Sequence, residues 1–225
     1  METIIRDFIA DLDKTFPEKA SLWETWRNLN KKKVKKLTEY FEKIFPERFF
    51  DILYQNEDIF KTESEIDTHF LPNVEFKILF SANISENTKQ TMWKYLQLIL
   101  LKSVDRLNSK NPFGETADLF QGVSDEDLQK KMEETISGLK DFFAKSAAST
   151  EYDKPDPNGP SGGEEFLPKN GLPKYFEEMF GKLDSEKLQE HLKKLMGGKI
   201  GGLVEELMEE LKGEFGDLEK EFGVV

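Results

Sequence analysis

The sequence predicts an all-α protein: an amino-terminal helical bundle, then an acidic helical region interrupted by a disordered linker. Three observations carry that expectation. Apolar residues recur at helical spacing, the stretch from Met92 to Leu101 is apolar nearly all round, and residues 146–174 are too rich in proline and glycine to repay ordering.

The first element is marked by Ile4, Ile5, Phe8, Ile9 and Leu12, and its pattern stops at Phe16-Pro17-Glu18, because proline disfavours helical geometry in the residue before it. Val34, Leu37, Tyr40, Phe41 and Ile44 mark a second apolar face, which ends at the same tripeptide, Phe45-Pro46-Glu47. Helix, Phe-Pro hinge, helix is the arrangement expected at both places, with proline in the first turn of the second helix. From Phe70 to Ile84 the chain gathers a proline, two asparagines and several aromatics, which suits a turn and a short extended or 3₁₀ segment. Asn83 and Glu86 then have the spacing of a capping box for the helix that carries Met92, Tyr95, Leu96 and Ile99. Such a helix belongs at the centre of a bundle. Trp23, Trp26 and Trp93 are expected as core or rim aromatics.

Past a loop beginning near Asn111, Ser124 is placed to cap a helix running from Asp125 to about Phe143, with acidic residues where the helix dipole favours them. The divisions expected are therefore a bundle over 1–111, a loop plus acidic amphipathic helix over 112–145, a linker over 146–174, and acidic amphipathic helices with a glycine-rich break over 175–225. In the last of these Leu188, Leu192, Leu195, Leu203 and Leu207 recur at helical spacing.

Charge separates the two halves. Residues 1–110 hold 18 basic and 18 acidic residues, so the whole formal charge of -12 lies in residues 111–225, which hold 14 and 26. An acidic half repels nucleic acid and anionic membrane surfaces, which leaves the neutral half for any such contact. The chain has no cysteine, which removes disulfides, thiolate metal sites and cysteine nucleophiles together. The start, METIIRDFIADLDK, has acidic residues where a secretory signal has basic ones, and no apolar stretch approaches the roughly 20 residues of a membrane-spanning helix.

Motifs with chemistry are few. In LMGGKIGGLVEEL, Leu195–Leu207, the pair Gly198-Lys199 suggests a phosphate loop, but Lys193 stands where its first glycine belongs and Ile200 where its hydroxyl belongs. Four glycines at about 1 kcal/mol each relative to alanine make a flexible joint instead. Asp156, Asn158, Gly159 and Glu165 echo a calcium loop, but Lys154 occupies the position of the first ligand and Pro160 stiffens the middle. His69 and His191 stand far apart without metal-ligand spacing, and Glu205 with Glu209 is a pairing any acidic helix gives. No catalytic residue, cofactor or metal is expected. Lys31, Lys32, Lys33, Lys35 and Lys36 form the basic run of the chain, either a solvated helix face or a nucleic-acid contact that would be independent of sequence and sensitive to salt.

Two blocks carry a resemblance. NVEFKILFSANISENTKQTMWKYLQLILLKSV, Asn73–Val104, resembles a segment of uncharacterised proteins of nucleocytoplasmic large DNA viruses, the giant and algal viruses. LQEHLKKLMGGKIGGLVEELMEEL, Leu188–Leu211, is similar to a second segment of those proteins, in the same order; the two cover about a quarter of the chain. The resemblance implies a role in the host cytoplasm or in the particle; it supplies no catalytic residue. The function expected is non-catalytic protein–protein interaction or scaffolding, with the five leucines as docking face for a protein partner or a second copy and no membrane partner. The alternative is a nucleic-acid-associated regulatory factor that uses Lys31–Lys36.

Overall fold

A computed structural model describes residues 1–107 and 122–148, together with Lys187, Glu190 and His191. The regular structure among the described residues is helical, and an isolated antiparallel bridge joins Leu71 to Val74. The chain enters as α1, Glu2–Thr15, which ends where the residue before Pro17 must leave helical geometry: Phe16 adopts φ -128 and ψ 58. Pro17 then opens a 3₁₀ segment, Pro17–Trp23, which continues into α2, Glu24–Arg27. Asp13 fastens this corner to α1. Its two carboxylate oxygens accept from the Trp23 indole N–H at 2.6 Å and from Arg27 Nε at 2.7 Å.

The second Phe-Pro step behaves differently. In α3, Lys31–Glu47, Pro46 lies inside the last turn rather than at the start of the next helix, so the break expected at Phe45-Pro46 falls two residues later, at Arg48. Proline forfeits one backbone hydrogen bond, but the aromatic packing of Phe45 outweighs that loss. The Phe45 ring is fully buried, edge-on to Phe41 at 5.2 Å and tilted against Phe70 at 5.4 Å. The short α4, Phe49–Leu53, comes next, with a 3₁₀ turn at Glu57–Phe60.

Between Phe70 and Ile84 the expected turn is present. Val74 N–H bonds the Leu71 carbonyl at 3.0 Å, with Pro72 second in the turn and Asn73 third at φ 65. That is the residue order of a type II turn, where asparagine tolerates the positive φ. The segment after it is the single-turn helix α5, Lys77–Phe80, rather than extended or 3₁₀ chain. Phe80 stacks on Phe60 at 3.7 Å, with Trp93 tilted against the pair. This ring packing is contributed by distant residues and was not visible as local propensity.

The central helix is α6, Glu86–Asp105. Its cap is Ser85, whose side chain accepts from the Thr88 N–H at 3.1 Å; Glu86 turns outward to Lys89 at 2.7 Å, so the capping box expected from Asn83 and Glu86 does not form. Apolar nearly all round, α6 is contacted by α1, α3, α4 and by α7, Asp125–Ala148. Gln97 on α6 donates to the carbonyls of Ile52 and Leu53 at 3.4 and 3.2 Å, tying the end of α4 to the central helix. All three tryptophans are buried.

As expected, Ser124 caps α7, accepting from the Asp127 N–H at 3.1 Å. Leu128, Met132, Ile136, Leu139 and Phe143 face inward and join the core formed by residues 1–107, while Glu126, Glu133 and Glu134 face water. The acidic helix of 112–145 is thus a layer of the bundle, and one core draws side chains from both sides of residue 111. Residues 146–148, expected to open the linker, instead belong to the end of α7; the remainder of the expected linker over 146–174 and the glycine-rich break expected in 175–225 lie outside the described residues.

Candidate functional site

Three places combine charge with shape. The first is the opening of α3. Asn30 caps it by accepting from Lys33 N–H at 2.9 Å, and Val34, Leu37 and Phe41 turn inward, which forces the intervening lysines outward. Lys31, Lys32, Lys35 and Lys36 are exposed, whereas Lys33 is half-buried and donates to the Thr25 carbonyl at 2.7 Å. Lys35 also faces Glu39 at 3.8 Å. These four exposed lysines are what either reading of the run requires.

Beside it opens the second place, a cleft of about 490 Å³. Lys31, Lys35 and Arg106 line it against Glu2, Glu39 and Glu42, and Arg106 Nε reaches Glu42 at 2.8 Å. Three cationic side chains meet three carboxylates there, and the Met1 amino group, pushed down to about 6 by burial and then by Lys102 and Arg106, is mostly neutral at pH 7, so the cleft holds little excess of either sign.

The third is buried between α1 and α6, and sequence reasoning missed it. Asp11 is 3% exposed and accepts from the Tyr95 hydroxyl at 2.5 Å, with Lys14 Nζ at 3.8 Å from its other oxygen. Burial first, and then the Asp11 carboxylate, hold the Tyr95 phenol well above its ordinary value, so it remains a donor. One turn earlier Asp7 is half-buried, and its Oδ2 is enclosed with no hydrogen-bond partner among the described residues. Burial, reinforced by Asp11 and opposed by Lys14, pushes the Asp7 carboxyl up to about 6. The available signal was positional: Asp11 falls close beside Ile4 on the wheel of α1, at the rim of its apolar face.

Asp7 makes stability depend on pH. Its folded pKa of about 6 lies above the ordinary 3.8, so below the lower value both states hold the proton and nothing is lost. As pH rises through the higher value the folded state must carry a partly desolvated charge, and stability falls. A shift of this size would be worth ~3 kcal/mol for a fully buried group, reduced here to ~1 kcal/mol by solvent screening. Asp7→Asn is expected to stabilise the protein by about that amount at neutral pH, and to flatten its stability between about pH 4 and pH 6. Urea titrations at several pH values would measure this; an Asn variant with an unchanged profile would remove Asp7 as the cause.

Elsewhere, His69 pairs with Asp67 at 2.5 Å on the surface. Among the described residues no three His, Asp or Glu side chains converge as metal ligands. Of the sequence-predicted site residues, Lys31, Lys32, Lys35 and Lys36 share the exposed face of α3 and Lys33 lies at its half-buried edge, whereas Leu188, Leu192, Leu195, Leu203 and Leu207 lie outside the described residues. No family model, curated protein or solved structure matches the chain.

Proposed function

We propose that the chain is a non-catalytic interaction or scaffold protein, in which the helical bundle carries an acidic leucine-rich region that docks on a protein partner or a second copy. The supporting observation is how α7 uses its apolar face. That face is spent on the bundle, and among the described residues the exposed large apolar side chains are Leu22, Tyr54 and Ile78, on three different segments. Lys131 of α7 already lies over the Tyr54 ring at 5.3 Å. The described bundle therefore presents no broad apolar counterface for Leu188, Leu192, Leu195, Leu203 and Leu207, and leucines at helical spacing favour burial against another surface.

Light scattering after size exclusion tests this on the full chain and on a Leu192→Glu, Leu195→Glu, Leu203→Glu variant. The wild type is expected to associate and the variant to elute as a folded monomer with an unchanged melting midpoint. A monomeric wild type whose midpoint drops in the variant would put these leucines in its own core and end the reading.

Among the described residues no helix is long and apolar enough to cross a membrane. The resemblance of residues 73–104 and 188–211 to large-DNA-virus proteins supports the host cytoplasm or the virion as the setting. The competing reading, nucleic-acid contact through Lys31–Lys36, draws on the four exposed lysines of α3 and would show a steep loss of affinity with salt, abolished by Lys→Gln replacement.

A further inference from the structure

Five of the first six residues of α3 are lysines, and its first turn holds no acidic residue. This start is unfavourable on two counts. Cations sit badly at the positive end of a helix dipole, and the one-turn pairs Lys31–Lys35 and Lys32–Lys36 repel. Neighbours relieve part of it: Thr25 takes Lys33, Glu39 faces Lys35, and the cleft balances Lys31 with carboxylates. Lys32 and Lys36 remain, exposed, one turn apart, and unpaired with any carboxylate among the described residues. Glu39 is the first acidic residue of the helix.

The same chain holds the complementary charge. Residues 205–221 contain eight acidic residues and two lysines, the densest acidic stretch of the acidic half. We propose that residues 205–221 dock on the Lys31–Lys36 face of α3 in the same chain, covering it. This stands on charge and goes beyond the leucine-mediated association above, with which it shares Leu207 alone.

The connection permits it. The 56 residues from 149 to 204 separate the end of α7 from the acidic stretch. Fully extended they would span roughly 190 Å, against a radius of gyration of about 15 Å for a bundle of this size. A tethered segment meets its site at an effective concentration in the millimolar range, so at micromolar protein the chain's own stretch outcompetes that of a second copy. The contact joins exposed charges and is weakened by salt. An external polyanion then reaches α3 only by displacing it.

Zero-length carbodiimide coupling of the full chain, mapped by mass spectrometry on an equimolar mixture of ¹⁵N-labelled and unlabelled protein, tests the proposal. Cross-links from Lys31, Lys32, Lys35 or Lys36 to acidic residues of 205–221 are expected within one isotope class. They are expected to fall several-fold at high salt and in Lys32→Gln, Lys36→Gln, while the Lys89–Glu86 link serves as internal standard. Absence of these links, or links that join the two isotope classes, overturns the intrachain contact. Links that persist undiminished in the lysine variant overturn it as well. Because the leucine variant is read by mass in solution and this contact by cross-link position, failure of either leaves the other standing.

Discussion

Leu139→Ala lowers the unfolding free energy of the entire bundle by about 2–5 kcal/mol. Leu139 is fully buried on α7, in a core shared with α1, α3 and α6, so truncation leaves a cavity that close-packed neighbours fill only in part. The reporter is built in, since Trp23, Trp26 and Trp93 all lie in residues 1–107. A urea titration followed by tryptophan emission is expected to shift to lower midpoint, in step with helix content by circular dichroism. If α7 were an appendage, helix content would fall in an earlier transition and the tryptophan midpoint would stay in place. That result would support the boundary expected near residue 111.

Tyr95→Phe costs about 1.5–3 kcal/mol, although it removes a single oxygen. The ring contacts with Phe8 at 5.1 Å and Phe143 at 5.9 Å survive in phenylalanine, so apolar packing is nearly unchanged. What is lost is the donor to a carboxylate that water hardly reaches, and leaving an acceptor desolvated costs more than the bond itself contributes. Adding Asp11→Asn should therefore return part of the loss, and the double-mutant cycle should give a coupling of at least ~0.5 kcal/mol. Strict additivity of the two single effects would show that the hydroxyl acts on something other than Asp11.

The helices were legible because their signals are local. Phe16-Pro17 ends α1, Ser124 caps α7, and the all-round apolarity of α6 fixed its place at the centre. Errors arose where a distant group decided a local choice. Pro46 sits inside α3 because Phe45 is gripped by Phe41 and Phe70, and residues 77–80 wind into a helix whose Phe80 stacks on Phe60. The capping error was one of degeneracy: Asn83 and Ser85 are both good caps, and only the backbone shows that Ser85 meets Thr88. The lysine face could be read from spacing alone. The Asp7–Asp11–Tyr95 cluster could not, since nothing in the sequence joins residues 84 positions apart.

That separation also governs how the chain matures on the ribosome. Asp11 and the apolar face of α1 find their partner on α6 only after Tyr95 has been made, 84 positions later. At a synthesis rate of about 5–20 residues per second the interval is roughly 4–17 s. For that time Ile4, Ile5 and Phe8 lack their cover from α6, and the nascent chain presents an amphipathic helix to whatever surrounds it. The window in which this protein is open to chaperones, or to a neighbouring copy on the same message, is written into the distance between its first helix and its central one.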